Sequence, residues 1–161
     1  PLETGDIEDR GQGDGVGYNL NLPLPAGAGH SAYLHAMDRI VIPAIEAYNP
    51  DIIIVACGFD AAVIDPLSTM LATADTFRQL TLKIMEVADK VCDGKLVLNH
   101  EGGYSEVYVP FCGHATLEAL SGSSITAPDP FQRAFACRQP SERLDAFLIS
   151  EINRMANILE L

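Results

Sequence analysis

The sequence predicts an α/β fold in which helices flank a parallel sheet. Two short apolar runs, Ile52-Ile53-Ile54-Val55-Ala56-Cys57 and Lys95-Leu96-Val97-Leu98-Asn99, lack the polar alternation of a half-exposed strand. Runs of that kind are what strands covered on both faces look like. Segments with apolar residues at three-and-four spacing precede, separate and follow them, as helices packed on a sheet require. Polar, glycine-bearing loops leave the carboxyl end of each run, where parallel α/β sheets bind their ligands.

Each element follows from local sequence. Residues 1–17 are acidic and glycine-rich and read as a loop. Tyr18-Asn19-Leu20-Asn21-Leu22 alternates like a strand, and Pro23-Leu24-Pro25 stops it. A helix is expected over about 31–48, with Tyr33, Met37, Ile40, Val41, Ala44, Ile45 and Tyr48 on its apolar face and a kink at Pro43. His35 falls on its solvated side. Asn49-Pro50-Asp51 turns the chain into the first strand, 52–57, and a long loop follows over about 58–74. The next helix, about 75–92, carries Phe77, Leu80, Ile84, Val87, Ala88 and Val91 on one face and ends at Asp93-Gly94. After the second strand, 95–99, come the loop from His100 to Ser105 and a helix at about 107–121 on which His114 packs. Residues 122–140 read as a proline-rich connection. The last helix, about 141–159, shows Leu144, Phe147, Leu148, Met155, Ile158 and Leu159 on one side.

A chain of 161 residues is the size of one domain and long enough to bury a core without staples. With 22 acidic against 10 basic residues the net charge is −12, which repels phosphate backbones and favours cationic partners over nucleic acid. No apolar run reaches the length of a membrane span and no basic leader opens the chain, so no membrane role is expected. The first residue is Pro1 rather than Met, which reads as processing or as a piece of something longer. Cys57, Cys92, Cys112 and Cys137 form no C-x-x-C pair, and the first three sit in apolar contexts, so reduced cysteines in a cytoplasmic protein are expected.

Two loops hold residues that could carry chemistry. Gly58-Phe59-Asp60-Ala61-Ala62-Val63-Ile64-Asp65-Pro66-Leu67 presents two carboxylates at a strand's carboxyl end. They read equally as groups that bind local backbone N–H in a turn or as metal ligands. His100-Glu101-Gly102-Gly103-Tyr104 places two glycines before a tyrosine; they let the backbone approach a ligand and aim the phenol at a developing oxyanion. The other reading is a half-buried tyrosine with a wet hydroxyl. The glycine string at 11–17 has no G-x-G-x-x-G opening a helix and reads as tight turns rather than a dinucleotide loop.

Taken in order, these segments resemble the zinc-dependent histone deacetylase family, in its bacterial class II-like, acetylpolyamine amidohydrolase type. The resemblance is carried by Gly13 to Pro25, by the Tyr33-Leu34 helix with Pro43-Ala44, and by Asn49-Pro50-Asp51. It continues through Ala56-Cys57-Gly58-Phe59-Asp60-Ala61, Asp65-Pro66-Leu67, His100 to Ser105, and Tyr108-Val109-Pro110-Phe111-Cys112-Gly113. It implies the arginase/deacetylase-like three-layer α/β/α fold. The same resemblance implies a zinc ion (Zn2+) at the strand ends, held by an Asp and a His of one Asp-x-His segment and by a second, later Asp, here Asp65. It makes Tyr104 the catalytic residue that polarises the acetyl carbonyl, with Gly102 and Gly103 along the substrate tunnel. Ala72, seven residues after Asp65, falls where the family more often has Leu or Met, and alanine there implies a wider acyl tunnel.

The sequence departs from the family pattern at one decisive place: it contains neither an Asp-x-His nor a His-His. It therefore resembles the C-terminal half of the catalytic domain over 1–125, with 126–161 a connection and a C-terminal helix packing on the same domain. The function expected is zinc-dependent removal of an acetyl group from acetyl-lysine, an acetylpolyamine or a similar amide, with this chain alone inactive. The alternative is a non-catalytic truncated fragment acting as a binding or assembly module. An arginase-like ureohydrolase ranks last, because its several Asp-x-His and Asp-x-Asp segments are not found. Apolar edges of half a sheet also predict self-association into homo-oligomers.

Overall fold

The computed structural model describes residues 5–161, so the first four residues of the expected N-terminal loop lie outside the described residues. Helix α1 (His30–Ala36) runs through a π-helical segment, Met37–Val41, into α2 (Ile42–Tyr48). The kink expected at Pro43 takes this form. Proline has no N–H to give and its ring crowds the carbonyl four residues back, and the wider π turn, in which the Ile42 N–H donates to the Met37 carbonyl, takes up the misfit. Asn49, in the left-handed region at φ 51°, ends α2.

Strand β1 (Ile53–Cys57) pairs in parallel with β2 (Leu96–His100), Ile53 opposite Leu96 and Cys57 opposite His100. Between them runs α3 (Ala74–Cys92). Thr73 caps its start with a reciprocal pair, the Thr76 N–H donating to Thr73 Oγ1 at 3.3 Å and the Thr73 N–H to Thr76 Oγ1 at 2.9 Å. Ile84, Val87, Ala88 and Cys92 of α3 pack on Ile53, Val55 and Leu96. Helix α4 (Val109–Ser121) lies beside α3, and Arg78 Nη1 stands 2.7 Å from Glu118 Oε1 across the pair.

The expectation of strands covered on both faces is corrected for this chain. Ile53 is buried, but Ile54 is 69% and Val97 49% exposed. Successive strand residues point to opposite faces, so α3 covers one face and nothing among the described residues covers the other. The expected strand at 18–22 is also absent. That segment is extended without a partner strand; Asn19 and Asn21 donate their side-chain amides to the Asp9 and Asp6 carbonyls, and Leu22 and Leu24 pack on the α1 side. Tyr18 and Leu20 are exposed, so the alternation marks neither sheet pairing nor one buried side.

The connection at 122–140 contains a helix the sequence did not announce, α5 (Gln132–Ala136). It is held by aromatic packing: Phe135 meets Tyr108 edge-on at 4.8 Å and stacks on Phe131 at 5.5 Å. Helix α6 (Glu142–Ile158) packs on α1, where Ala32 and Ala36 are small enough to let it approach. Its buried face is Leu148, Ile152, Met155 and Ala156, with Leu159 beyond its end, while Leu144 and Phe147 are exposed. The same packing corrects His35, which is half-buried with Nε2 2.9 Å from Asn153 Oδ1 of α6. No helix among the described residues is long and apolar enough to cross a membrane.

Candidate active site

The two loops that the sequence singled out come off neighbouring parallel strands, and their backbones remain paired beyond the sheet. The Glu101 N–H donates to the Cys57 carbonyl at 3.1 Å and the Phe59 N–H to the Gly102 carbonyl at 2.8 Å. Such close approach sets the residue types. A Cβ on Gly102 would meet the Asp60 carboxylate, 2.9 Å from its Cγ. Gly103 sits at φ +133°, and a Cβ there would stand 3.0 Å from Val109 Cγ2 and 3.1 Å from Phe59 Cβ. In this chain, then, both glycines make room for the Phe59-Asp60 segment.

Asp65 is 6% exposed, and both its oxygens accept backbone hydrogen bonds: Oδ1 from Leu67 N–H at 2.9 Å, Oδ2 from Tyr104 N–H at 2.7 Å. The first is the turn contact expected of a local capping carboxylate. The second ties the two loops together and could not be read from spacing. Two N–H bonds fix the carboxylate's orientation while each oxygen keeps a further lone pair for another partner. Tyr104, whose backbone is held this way, is 54% exposed, and its hydroxyl lies 3.4 Å from where a Gly102 Cβ would stand. Structure thus brings Asp65, Gly102, Gly103 and Tyr104 into one site.

Ala72 is placed differently. It is 1% exposed, in a cluster with Phe59, Ala62, Phe77 and Tyr108. Its N–H donates to the Ala61 carbonyl at 3.1 Å and its carbonyl accepts from Val63 N–H at 2.9 Å, closing the neck of the loop that holds Asp65. In this chain Ala72 is a core residue and presents no open wall.

Burial shapes the surrounding titratable groups. It pushes the Tyr33 phenol up to about 12, with help from the nearby Asp60 charge. The Cys57 thiol is raised by burial, and Cys112 is pushed up to about 12 by burial first and then by Asp129 and Cys57, so neither is a ready thiolate. Tyr108, fully buried, was not singled out by sequence. Its hydroxyl donates to Asp129 Oδ2 at 2.7 Å and accepts from Ala74 N–H at 2.9 Å, pinning the connection after α4 to the start of α3. Burial, then the bond to Asp129, raises its pKa. The four cysteines are free, Cys137 exposed.

A catalytic zinc needs three protein ligands and an open position. Among the described residues no group of three or more His, Cys, Asp or Glu comes together. Asp65 fits one place in such a set and nothing here fits the other two. The histidines are engaged elsewhere: His30 with Thr76 at 3.0 Å, His35 with Asn153, His114 3.6 Å from Glu118, and His100 against the Phe59 ring at 5.2 Å.

The histone deacetylase domain family matches residues 1–120. A histone deacetylase-like amidohydrolase of Pseudomonas aeruginosa is 45% identical over 128 residues, covering 80% of this chain and 34% of that protein. The chloroplastic histone deacetylase 10 of Oryza sativa subsp. japonica is 46% identical over 120 residues, covering 74% and 25%. Among solved structures, the histone deacetylase Clr3 superposes with a TM-score of 0.72 at 27% identity, over 94% of this chain and 24% of that one. The HDA15 HD domain gives 0.71 at 27% identity, over 95% and 39%. The chain spans about a third of the length of the Pseudomonas relative.

Proposed function

Because this chain belongs to the histone deacetylase family, we propose that it forms one wall of an amide-hydrolysing site, with Asp65 as a zinc ligand and Tyr104 as the donor to the oxyanion. The observation that supports this best is the 2.7 Å bond from the Tyr104 N–H to the Asp65 carboxylate. That contact holds the Tyr104 backbone against the proposed metal ligand, which supports a two-point hold on an acetyl carbonyl. Tyr104, an exposed residue, would donate its hydroxyl to an oxygen that gains charge as water attacks, while its backbone stays fixed. Zinc bound in a completed site would supply Lewis acidity and lower the pKa of a bound water.

Asp65 alone is not a zinc centre, so the other two ligands and the general base must come from residues outside the described chain. The substrate class proposed is an acetylated amine, such as acetyl-lysine or an acetylpolyamine, which suits a chain of net charge −12. A cytoplasmic setting belongs to the same proposal. Gly102 and Gly103 would lie along the substrate, and Ala72 would act on acyl preference through the shape of the loop it closes. The test is turnover and zinc content in a complete catalytic domain containing this segment. Tyr104→Phe is expected to lower turnover with zinc retained, and Asp65→Asn to lower zinc occupancy; wild-type values for both variants would overturn the reading.

A second reading is favoured by the bare sheet face. Ile54 and Val97, exposed side by side, suit a chain that works as an assembly or binding module. Deacetylation by the purified 161-residue chain, with stoichiometric zinc, would exclude it and also refute the inactivity expected of the chain alone.

A further inference from the structure

Gln139 lies between α5 and α6, past residues 1–120, over which the histone deacetylase domain matches. Its side-chain amide engages two distant backbones with two different atoms. Oε1 accepts the His30 N–H at 2.8 Å, and Nε2 donates to the Leu71 carbonyl at 2.9 Å. Packing around this amide is tight: a Cβ on Gly29 would stand 2.7 Å from Pro140 Cδ and would meet Gln139 Oε1 as well.

Leu71 sits at the neck of the loop that carries Asp65. Next to it, Ala72 pairs with Ala61 and Val63, closing residues 63–72 on themselves. On the other side, the Leu71 N–H donates to the Ala28 carbonyl at 2.9 Å and the Gly27 N–H to the Thr69 carbonyl at 2.9 Å. The neck is therefore held through the 27–29 turn, and Gln139 fastens both partners, the start of α1 through His30 and the loop through Leu71. A carboxylate could replace only the acceptor half of this contact, since an ionised Glu has no donor.

We propose that Gln139 is a positioning residue for the candidate site: it pins the base of the 63–72 loop to the start of α1 and so holds the Asp65 carboxylate where it grips Tyr104. Its relevance to catalysis rests on the reading of Asp65 as a metal ligand, whereas the pinning itself does not.

The test is residue-resolved amide hydrogen exchange on the 161-residue chain, comparing wild type with Gln139→Ala and Gln139→Glu. In both variants the Leu71, Leu67 and Tyr104 amides are expected to exchange about five- to tenfold faster, the size of one lost hydrogen bond. Amides of α3 from Ile84 to Ala88 are expected to stay within about twofold, as a local opening requires. The His30 amide should lose protection in Gln139→Ala and keep it in Gln139→Glu, which retains the acceptor. The proposal is overturned if Leu67 and Tyr104 keep wild-type rates in Gln139→Glu, or if α3 speeds up as much as they do. Should Gln139→Ala not fold, Gln139→Glu decides alone. No zinc or substrate enters this measurement. Loosened Leu67 and Tyr104 amides, alongside unchanged zinc content in Asp65→Asn of the complete domain, would remove Asp65 as a metal ligand and leave the pinning standing.

Discussion

The loop around Asp65 and the open face of the sheet lie a few residues apart in sequence and are specified to very different degrees. Around Asp65 the chain supplies partners: two N–H groups on the carboxylate, a closed neck at Ala72, and Gln139 beneath. On the sheet, Ile53 is buried under α3 while its neighbour Ile54 is 69% exposed. One region is finished by local contacts. The other is apolar surface that water meets, although the strand's composition suits burial on both sides. The chain thus ties the Asp65 loop down from several sides and covers the sheet beside it on one face only.

The sharpest way to break this comparison is at the site. In the complete catalytic domain, Tyr104→Phe is expected to cost about 10²–10³-fold in turnover if the phenol stabilises the oxyanion. Its unfolding midpoint should not move, because Tyr104 is exposed and its hydroxyl makes no hydrogen bond among the described residues. Turnover and thermal unfolding on the same preparation check both halves, and a lowered midpoint with unchanged turnover would make Tyr104 structural.

Neighbouring strand positions give the next largest effect. Ile53→Ala removes a buried side chain packed on Ile84 and Val87 and should cost about 2–4 kcal/mol in denaturant unfolding. Ile54→Ala should cost less than about 0.5 kcal/mol, as surface changes do. Ile54→Lys together with Val97→Lys should instead reduce self-association, read by sedimentation velocity across concentration. Equal losses at Ile53 and Ile54 would mean that the bare face is covered in solution.

These contrasts also show what the sequence could convey. Strand and helix periodicities are local, so β1, β2, α3, α4 and α6 fell within one or two residues of expectation. Asp65 and Tyr104 are singled out by the family resemblance, since spacing alone leaves a turn carboxylate and a wet tyrosine open; the loops that carry them come off adjacent parallel strands. What stayed illegible depends on partners far along the chain. Gln139 bonds to His30 and Leu71, Tyr108 to Asp129, and α5 exists because Phe131 and Phe135 find Tyr108. None of these has a periodicity to read. Tyr18–Leu22 failed for the opposite reason: its alternation is only a local pattern, and Tyr18 (74%) and Leu20 (36%) are exposed while Leu22 alone of the three packs on the core.

Asp65→Ala tests the polar side of the same comparison at a smaller scale. It strips the partner from the Leu67 and Tyr104 amides, both part-buried, and the two lost bonds are expected to cost about 1 kcal/mol each. Asp65→Asn keeps the shape and one acceptor oxygen and should recover part of that. Denaturant midpoints of the two variants check the order, and an Asp65→Ala protein as stable as Asp65→Asn would mean that those amides are solvated rather than buried.

The smallest effect expected is at the α3–α4 seam, where Arg78 holds Glu118. The hydrogen bond from Arg78 keeps the Glu118 carboxyl below its ordinary value, and the Arg78 charge and the neighbouring His114 act in the same direction. Asp75 also faces Arg78, at 3.9 Å. A carboxyl whose pKa is lower folded than unfolded stabilises the fold when ionised. That contribution is complete above the ordinary carboxylate range and is lost as the pH falls through the depressed value. Unfolding midpoints of wild type and Glu118→Gln should therefore differ at neutral pH and converge in acid. Added salt should shrink the neutral-pH gap, because the pair is partly open to solvent. Curves that stay parallel down to acid pH would show that Glu118 contributes through packing and that its charge does nothing at this seam.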